Sequence, residues 1–295
     1  MRNGIYSTLL SGLTLLILCP CTGFSREEPQ AKSPAFTTVP ELRAGFDLLY
    51  NQRFAEGRHS FESWESRNPE EPFGEVAIAA SYLFEELHEQ KVLTSDFFLD
   101  EKRFLRGIDG TPNPERMRYF RESLKKAREL AHKRQRVDSN DREALFALTL
   151  ADGMESDALA ILDKKHLEAL KRMKEANKYA KQLLARYPEA TDAYVAPGIS
   201  NYIVGSLNPG TRFGLWFGGI HGNVNVGMSQ VAKTAESGRY LRTYAKIILA
   251  LAARRENQPA LAERLFRELN EEYPGNPSYA LEYSKARRGS LKGHS

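Results

Sequence analysis

The residue types that most often perform chemistry are present in this sequence, but their spacing matches no catalytic motif. No two of the six histidines have the H-E-x-x-H spacing with which a helix binds zinc. Ser200 and Ser229 each follow a glycine by two residues, but both lack the second glycine of a nucleophile elbow. We therefore predict no catalytic residue, no metal site and no cofactor, so that the protein is not an enzyme. A hydrolase that uses His221 is the alternative.

A glycine-rich stretch over residues 213–227, FGLWFGGIHGNVNVG, is the second place where chemistry has to be considered. Gly214 and Gly219 have the spacing of a phosphate-binding P-loop. However, Ile220 and His221 stand where that loop needs Lys and then Ser or Thr to contact phosphate and Mg²⁺. The G-x-G-x-x-G spacing of a dinucleotide site is absent from this stretch as well. We therefore predict no nucleotide site here.

The same stretch has no Asp, Glu, Lys or Arg and is rich in large apolar side chains, namely Phe213, Leu215, Trp216, Phe217 and Ile220. Burying each of them is worth roughly 1.5–3 kcal/mol, so we expect them to be covered. A corner of the fold, with the aromatic side chains turned into the core, is the first expectation. Contact with a partner protein or a membrane is the other, and it makes Trp216, Phe217 and His221 the candidate contacts.

The charge balance argues against a nucleic-acid partner. The chain has 42 basic and 38 acidic residues, a net charge of +4, which is far from a concentrated basic footprint. One dense basic run, over residues 125–136, is preceded by Glu122 and interrupted by Glu129, and we interpret it as the solvated face of a helix.

The N-terminus has the pattern of an export signal. Arg2 precedes an uncharged apolar run over residues 5–18, which is too short to span a bilayer, and small residues at Gly23 and Ser25 provide a cleavage site. We predict a signal peptide over 1–25, a flexible leader over 26–37, and a periplasmic or secreted protein. Both cysteines fall within the signal, so the mature chain would have no disulfide. A lipid anchor on Cys21 is the alternative, but Pro20 stands where a small residue is usual.

From Pro40 onward, apolar residues recur at intervals of three or four, which is typical of amphipathic helices. Prolines at positions 40, 72, 114 and 277 mark helix starts. We therefore predict an all-α fold with one domain over 38–295. Within it, an inserted segment around 190–240 should contain a helix interrupted at Pro197 and Gly198, and a later helix that begins near Asn223 and stops at Gly238.

Four segments share one pattern: a small residue, a small or aromatic residue four positions later, and a turn residue eight positions after that. They are Gly57, Phe61 and Pro69; Ala262, Phe266 and Pro274; Ala176, Ala180 and Pro188; and Ala127, Ala131 and Ser139. In two copies a small residue also stands twelve positions upstream, Gly45 in the first and Ala250 in the last. The pattern resembles the tetratricopeptide repeat (TPR) family, although Glu41 and Lys246 stand where that family has Trp.

The resemblance implies antiparallel helix hairpins stacked into an irregular α-solenoid, whose first helices line a concave binding face. We accordingly expect an exported scaffold or adaptor that binds a protein or peptide partner in the cell envelope. The alternative is a periplasmic component that binds a small molecule or lipid in a pocket formed by the 190–240 segment. Neither expectation includes nucleic acid, and membrane contact would require a lipidated Cys21 or the apolar stretch 213–220.

Overall fold

A computed structural model describes residues 37–292, and within that range the chain is helical with no β-strand. The prediction of an all-α fold is confirmed. The predicted signal peptide 1–25, Cys21 and all but the last residue of the predicted leader 26–37 lie outside the described residues. The α-helices are α1 (Pro40–Tyr50), α2 (Phe54–Glu65), α3 (Pro72–Glu89), α4 (Ser95–Leu99), α5 (Glu101–Arg106), α6 (Pro114–Gln135), α7 (Arg142–Asp157), α8 (His166–Arg186), α9 (Val195–Ser206), α10 (Pro209–Phe217), α11 (Val224–Ser237), α12 (Arg242–Arg255), α13 (Pro259–Glu272) and α14 (Pro277–Lys292).

Two short helical turns complete the chain path. One turn of π-helix, Ala158–Leu162, continues α7, and a 3₁₀ turn, Thr191–Tyr194, precedes α9. The long helices pack against their neighbours in sequence, while α4 and α5 lie between α3 and α6 along the chain. Each of the four predicted helix-start prolines is the first residue of a helix, where its missing N–H costs no hydrogen bond.

The four motif segments lie on α2, α6, α8 and α13, and in each of them the two motif positions four residues apart are buried. Three residues after each turn residue a new helical element starts: α3 after Pro69, α7 after Ser139, the 3₁₀ turn after Pro188, and α14 after Pro274. The recurring pattern therefore marks a recurring local structure, namely a helix with a small-residue face followed by a tight turn into the next helix.

Glycines allow α1 and α2 to pack at close range. A Cβ on Gly57 would lie 2.7 Å from Leu49 Cδ2 and 2.8 Å from the carbonyl oxygen of Gly45. A Cβ on Gly45 would overlap the ring of Phe61, which is fully buried. The small residues of the motif thus leave room for the neighbouring backbone and for the aromatic side chain that fills the space between the helices.

Residues from both ends of the described chain share one core. Tyr50 Oη donates a hydrogen bond to the carbonyl oxygen of Tyr240 (2.8 Å), and Asn276 Nδ2 donates one to the carbonyl oxygen of Tyr50 (2.8 Å). The rings of Phe46 and Phe73 lie 5.6 Å and 5.0 Å from the ring of Tyr240. The first helix is therefore held directly against the segment between α11 and α12 and against the start of α14.

The helix predicted to be interrupted at Pro197 and Gly198 is continuous. Helix α9 runs without interruption through Pro197 and Gly198, because Pro197 lies in its first turn, where backbone N–H groups have no intrahelical partner. The predicted later boundaries are confirmed, since Asn223 caps α11 with its side chain (Oδ1 to Val226 N, 3.1 Å) and Gly238 ends it. Gly198 permits close packing of α9 on α11, because a Cβ there would lie 2.9 Å from the backbone nitrogen of Val231.

Candidate functional site

Helix α10 occupies the first half of the glycine-rich stretch and projects its aromatic side chains outward. It starts at a side-chain cap, since Asn208 Oδ1 accepts a hydrogen bond from Thr211 N (2.9 Å), and none of its residues is buried. The glycines that follow it allow the chain to turn into α11; Gly219, for example, has a φ of +70°. This stretch was predicted to be a corner of the fold, and the structure places a separate short helix in its first half.

The aromatic side chains of α10 form an exposed cluster, which we call the aromatic tip: Phe213, Trp216 and Phe217. Their exposed fractions are 63%, 55% and 71%. The rings contact one another, with centroids 4.9 Å apart for Phe213 and Phe217 and 5.1 Å apart for Trp216 and Phe217. The expectation that these aromatic residues turn into the core is therefore wrong. A nine-residue amphipathic helix has two faces, and the aromatic face of α10 is the one left uncovered.

His221 lies beside the tip. It is exposed, and its ring meets that of Trp216 edge-on at 6.4 Å. No hydrogen bond joins His221 to another described residue, whereas a general base is normally oriented by one. Within residues 37–292 there is also no group of three or more His, Cys, Asp or Glu side chains that could hold a metal ion.

The basic run over residues 125–136 lies on α6 and makes ion pairs with neighbouring helices. Lys126 Nζ lies 2.6 Å from Glu75 Oε1 of α3, and Arg128 lies 2.7 Å from Asp152 of α7. Arg134 bridges Glu71 and the helix-capping Asp141. The run was predicted to be a solvated face, but part of it ties three helices together.

A cleft of about 400 Å³ lies between α11, α12 and α13, and we call it the α11–α13 cleft. Its floor is apolar and consists of Met228, Ala232, Leu249, Leu261 and Leu265. Its more exposed charged residues, Glu236, Arg242, Arg264 and Glu268, form a rim that carries both charges, and the buried Lys246 also lines it. Helix α11 belongs to the inserted segment 190–240, and α12 and α13 carry the last copy of the repeat motif. The cleft therefore lies between the inserted segment and the last motif copy.

Charged residues of the cleft form ion pairs with one another and with the adjacent Glu272. Lys246 is 3% exposed, and its Nζ lies 2.6 Å from Glu272 and 3.0 Å from Glu268. Arg242 makes two 3.0 Å hydrogen bonds to Glu272. Burial raises the pKa of Glu272, but the hydrogen bonds from Arg242 and Lys246 outweigh it, and its pKa lies below the ordinary value. The sequence singled out Lys246 only as a departure from the TPR pattern.

Sequence reasoning missed an acid at the end of α7. Asp157 retains some exposed surface, yet it lies so deep that burial raises its pKa to about 7. Its carboxylate has no hydrogen bond or ion pair with another described residue. Burial, and after it the nearby Asp157, raises the pKa of Tyr244 of α12. No spacing rule marks a single aspartate, so the sequence carried no signal for it.

No protein-family model matches this sequence, and no curated protein matches it significantly. None of the helices within residues 37–292 is long and apolar enough to cross a membrane.

Proposed function

We propose that this chain is an exported, non-enzymatic adaptor of TPR-like hairpins in an irregular α-solenoid. In this proposal it binds an amphipathic helical segment of a partner protein in the α11–α13 cleft. The observation that carries the proposal is the cleft itself, with an apolar floor between rims that bear both charges. An amphipathic helix places an apolar face in such a groove while its polar residues meet the rim.

The position of the cleft is consistent with the binding role that the resemblance to the TPR family implies. Arg242, Lys246 and Leu249 line it from α12, the helix that corresponds to a first helix of the TPR hairpin. First helices are the elements that the resemblance assigns to binding. The ion pairs of Lys246 and Arg242 with Glu272 also favour binding over catalysis. Cationic side chains that are held by a carboxylate are poor nucleophiles and poor bases.

Site-directed photo-crosslinking in the host cell tests the adaptor function. A photoreactive side chain at Ser229, which is exposed and lines the cleft, should form one dominant protein adduct. The same group at Lys233, which is exposed on α11 but outside the cleft, is the matched control and should give none. Diffuse background from Ser229, or equal adducts from both sites, would contradict the proposal.

A floor substitution links the adduct to the cleft. Leu261→Asp places a charge on the apolar floor and should abolish the Ser229 adduct. Leu281→Asp introduces the same charge on α14 at a position that is 53% exposed, and it should leave the adduct unchanged.

A small molecule or lipid is the second candidate occupant. It is favoured by the contribution of α11 from the inserted segment and by the size of the cleft, because ligand pockets typically enclose about 300–1,000 Å³. Native mass spectrometry of protein purified from its host distinguishes the two candidates. A retained mass that Leu261→Asp removes would favour the small ligand over the peptide, and a clean apo mass would exclude a tightly bound one.

A further inference from the structure

The aromatic tip belongs to a long segment without acidic residues. Between Asp192 and Glu236 the sequence has no Asp or Glu, although the whole chain has 38 of them. The only Lys or Arg residues in this segment are Arg212, in α10, and Lys233, in α11. The segment therefore presents no carboxylate that would repel an anionic partner.

A row of lysines on α8 adjoins the tip. Lys171, Lys174, Lys178 and Lys181 follow one another at intervals of three and four residues, so they lie along one helix face, and all four are exposed. We call this row the lysine stripe. Leu167, 78% exposed, extends it by one turn toward the start of the helix.

The stripe and the tip are physically joined. Lys174 Nζ donates a 2.6 Å hydrogen bond to the carbonyl oxygen of Gly218, the residue that follows Phe217. Glu168 and Glu175 flank the stripe on one side, and Glu175 pairs with Lys178 at 3.4 Å. Lys171 and Lys181 have no ion pair with another described residue. In contrast, Lys126 and Lys133 of α6 each contact a glutamate of another segment.

We propose that the aromatic tip and the lysine stripe together form a docking surface for an anionic lipid bilayer. Aromatic side chains on a short exposed helix insert at the level of the lipid headgroups, and adjacent lysines are attracted to negatively charged headgroups. Charge complementarity selects this occupant: the exposed apolar residues adjoin a row of four exposed lysines, two of which have no ion pair with a described residue, and their own segment contains no acid. The docking is peripheral, and it does not depend on what occupies the α11–α13 cleft.

Vesicle binding by the chain as processed in its host tests the proposal. It should sediment with vesicles of equal parts phosphatidylcholine and phosphatidylglycerol and bind those of phosphatidylcholine alone far more weakly. Trp216 reports insertion directly, because the only other tryptophan, Trp64, is 6% exposed and contributes a constant background. The emission of Trp216 should shift to shorter wavelength on binding and be quenched by brominated lipid.

Matched variants separate the two parts of the surface. Lys171→Gln with Lys181→Gln should weaken binding roughly thirtyfold. Lys125→Gln with Lys133→Gln on α6 removes the same charge and should change it little. Phe213→Ser with Phe217→Ser should remove binding, whereas Leu281→Ser should not. Thermal denaturation checks that each variant is folded.

Three outcomes would overturn the proposal. Binding that survives both the tip and the stripe substitutions would place the lipid contact elsewhere. Equal binding to both vesicle types without a shift in Trp216 emission would exclude an anionic surface. A dimer that sedimentation equilibrium detects without lipid, and that the tip substitutions dissociate, would assign the tip to a second copy of this chain.

Discussion

The backbone N–H of Val39 donates a 2.9 Å hydrogen bond to the hydroxyl oxygen of Tyr240, across 201 residues of sequence. The same hydroxyl donates to the carbonyl oxygen of Thr37 at 3.1 Å. Tyr240 is 1% exposed, so these groups have little access to water as an alternative partner. One phenol therefore satisfies the backbone at the start of α1 and fixes it against the segment before α12.

Tyr240→Phe removes that hydroxyl while keeping the ring. The buried N–H of Val39 then has no partner, and we expect the free energy of unfolding to fall by about 1–3 kcal/mol. Urea denaturation measures the loss. Tyr283→Phe is the control, because the Tyr283 hydroxyl has no hydrogen bond with another described residue, and it should stay within about 0.5 kcal/mol of wild type. Equal effects of the two substitutions would contradict the structural role of the Tyr240 hydroxyl.

Gly45→Ala tests the close approach of α1 and α2. The added Cβ would overlap the ring of Phe61, so one of the two helices has to shift, and we expect a loss of about 1–3 kcal/mol. Gly153→Ala on α7 is the matched control, since its Cβ would meet nothing closer than Ala196 Cβ at 3.6 Å. There the better helix propensity of Ala should stabilise the protein by up to about 1 kcal/mol. A stabilising effect at both positions would show that α1 and α2 are not tightly packed.

Asp157→Asn should change how stability depends on pH. Burial raises the pKa of Asp157 to about 7 in the folded protein, whereas an unfolded aspartate has a pKa of about 3.9. Between these values the folded state holds a proton that the unfolded state has released, so this residue makes stability fall as pH rises, until the effect levels off above pH 7. The variant lacks that penalty, and its advantage over wild type should reach the order of 2–4 kcal/mol at pH 8 and vanish near pH 4.

Urea denaturation over that pH range measures the difference, with Asp138→Asn at an exposed position as the control. If the effect of Asp157→Asn depends on pH no more than that of the control substitution, Asp157 does not lie in a desolvated environment.

Phe217→Ala should have little effect on stability. Phe217 is 71% exposed, so truncating it removes almost no packing, and the free energy of unfolding should change by less than about 0.5 kcal/mol. Phe61→Ala, at a fully buried motif position, should cost about 3–5 kcal/mol by the same measurement. A large loss at Phe217 would show that the aromatic tip packs against the protein itself.

Many of the helix boundaries could be predicted from nearby residues in the sequence. The prolines at positions 40, 72, 114 and 277, the Asn223 cap and the Gly238 stop all mark helix boundaries, because each acts through the hydrogen bonding or backbone geometry of its own turn. The rule that proline interrupts a helix failed at Pro197, because its effect depends on where the helix begins.

The candidate sites could not be predicted in the same way, because they depend on contacts between distant segments. The α11–α13 cleft requires Met228, Leu249 and Leu265 to meet from three helices. The lysine stripe is visible as a spacing, but its position beside the aromatic tip is set by the contact of Lys174 with Gly218. Asp157 becomes unusual only because other parts of the chain surround it.

By itself, the sequence determined that this protein is built from helices and where most of them start and stop, since helix periodicity and capping are properties of adjacent residues. It also determined that the stretch 213–220 is unusually rich in large apolar side chains. Only the tertiary structure decided where that surface faces. Burial depends on which distant segments cover a helix, and no segment within residues 37–292 covers the aromatic face of α10. For this reason Phe213, Trp216 and Phe217 lie exposed, while Phe46 and Phe73 lie in the core that Tyr240 closes.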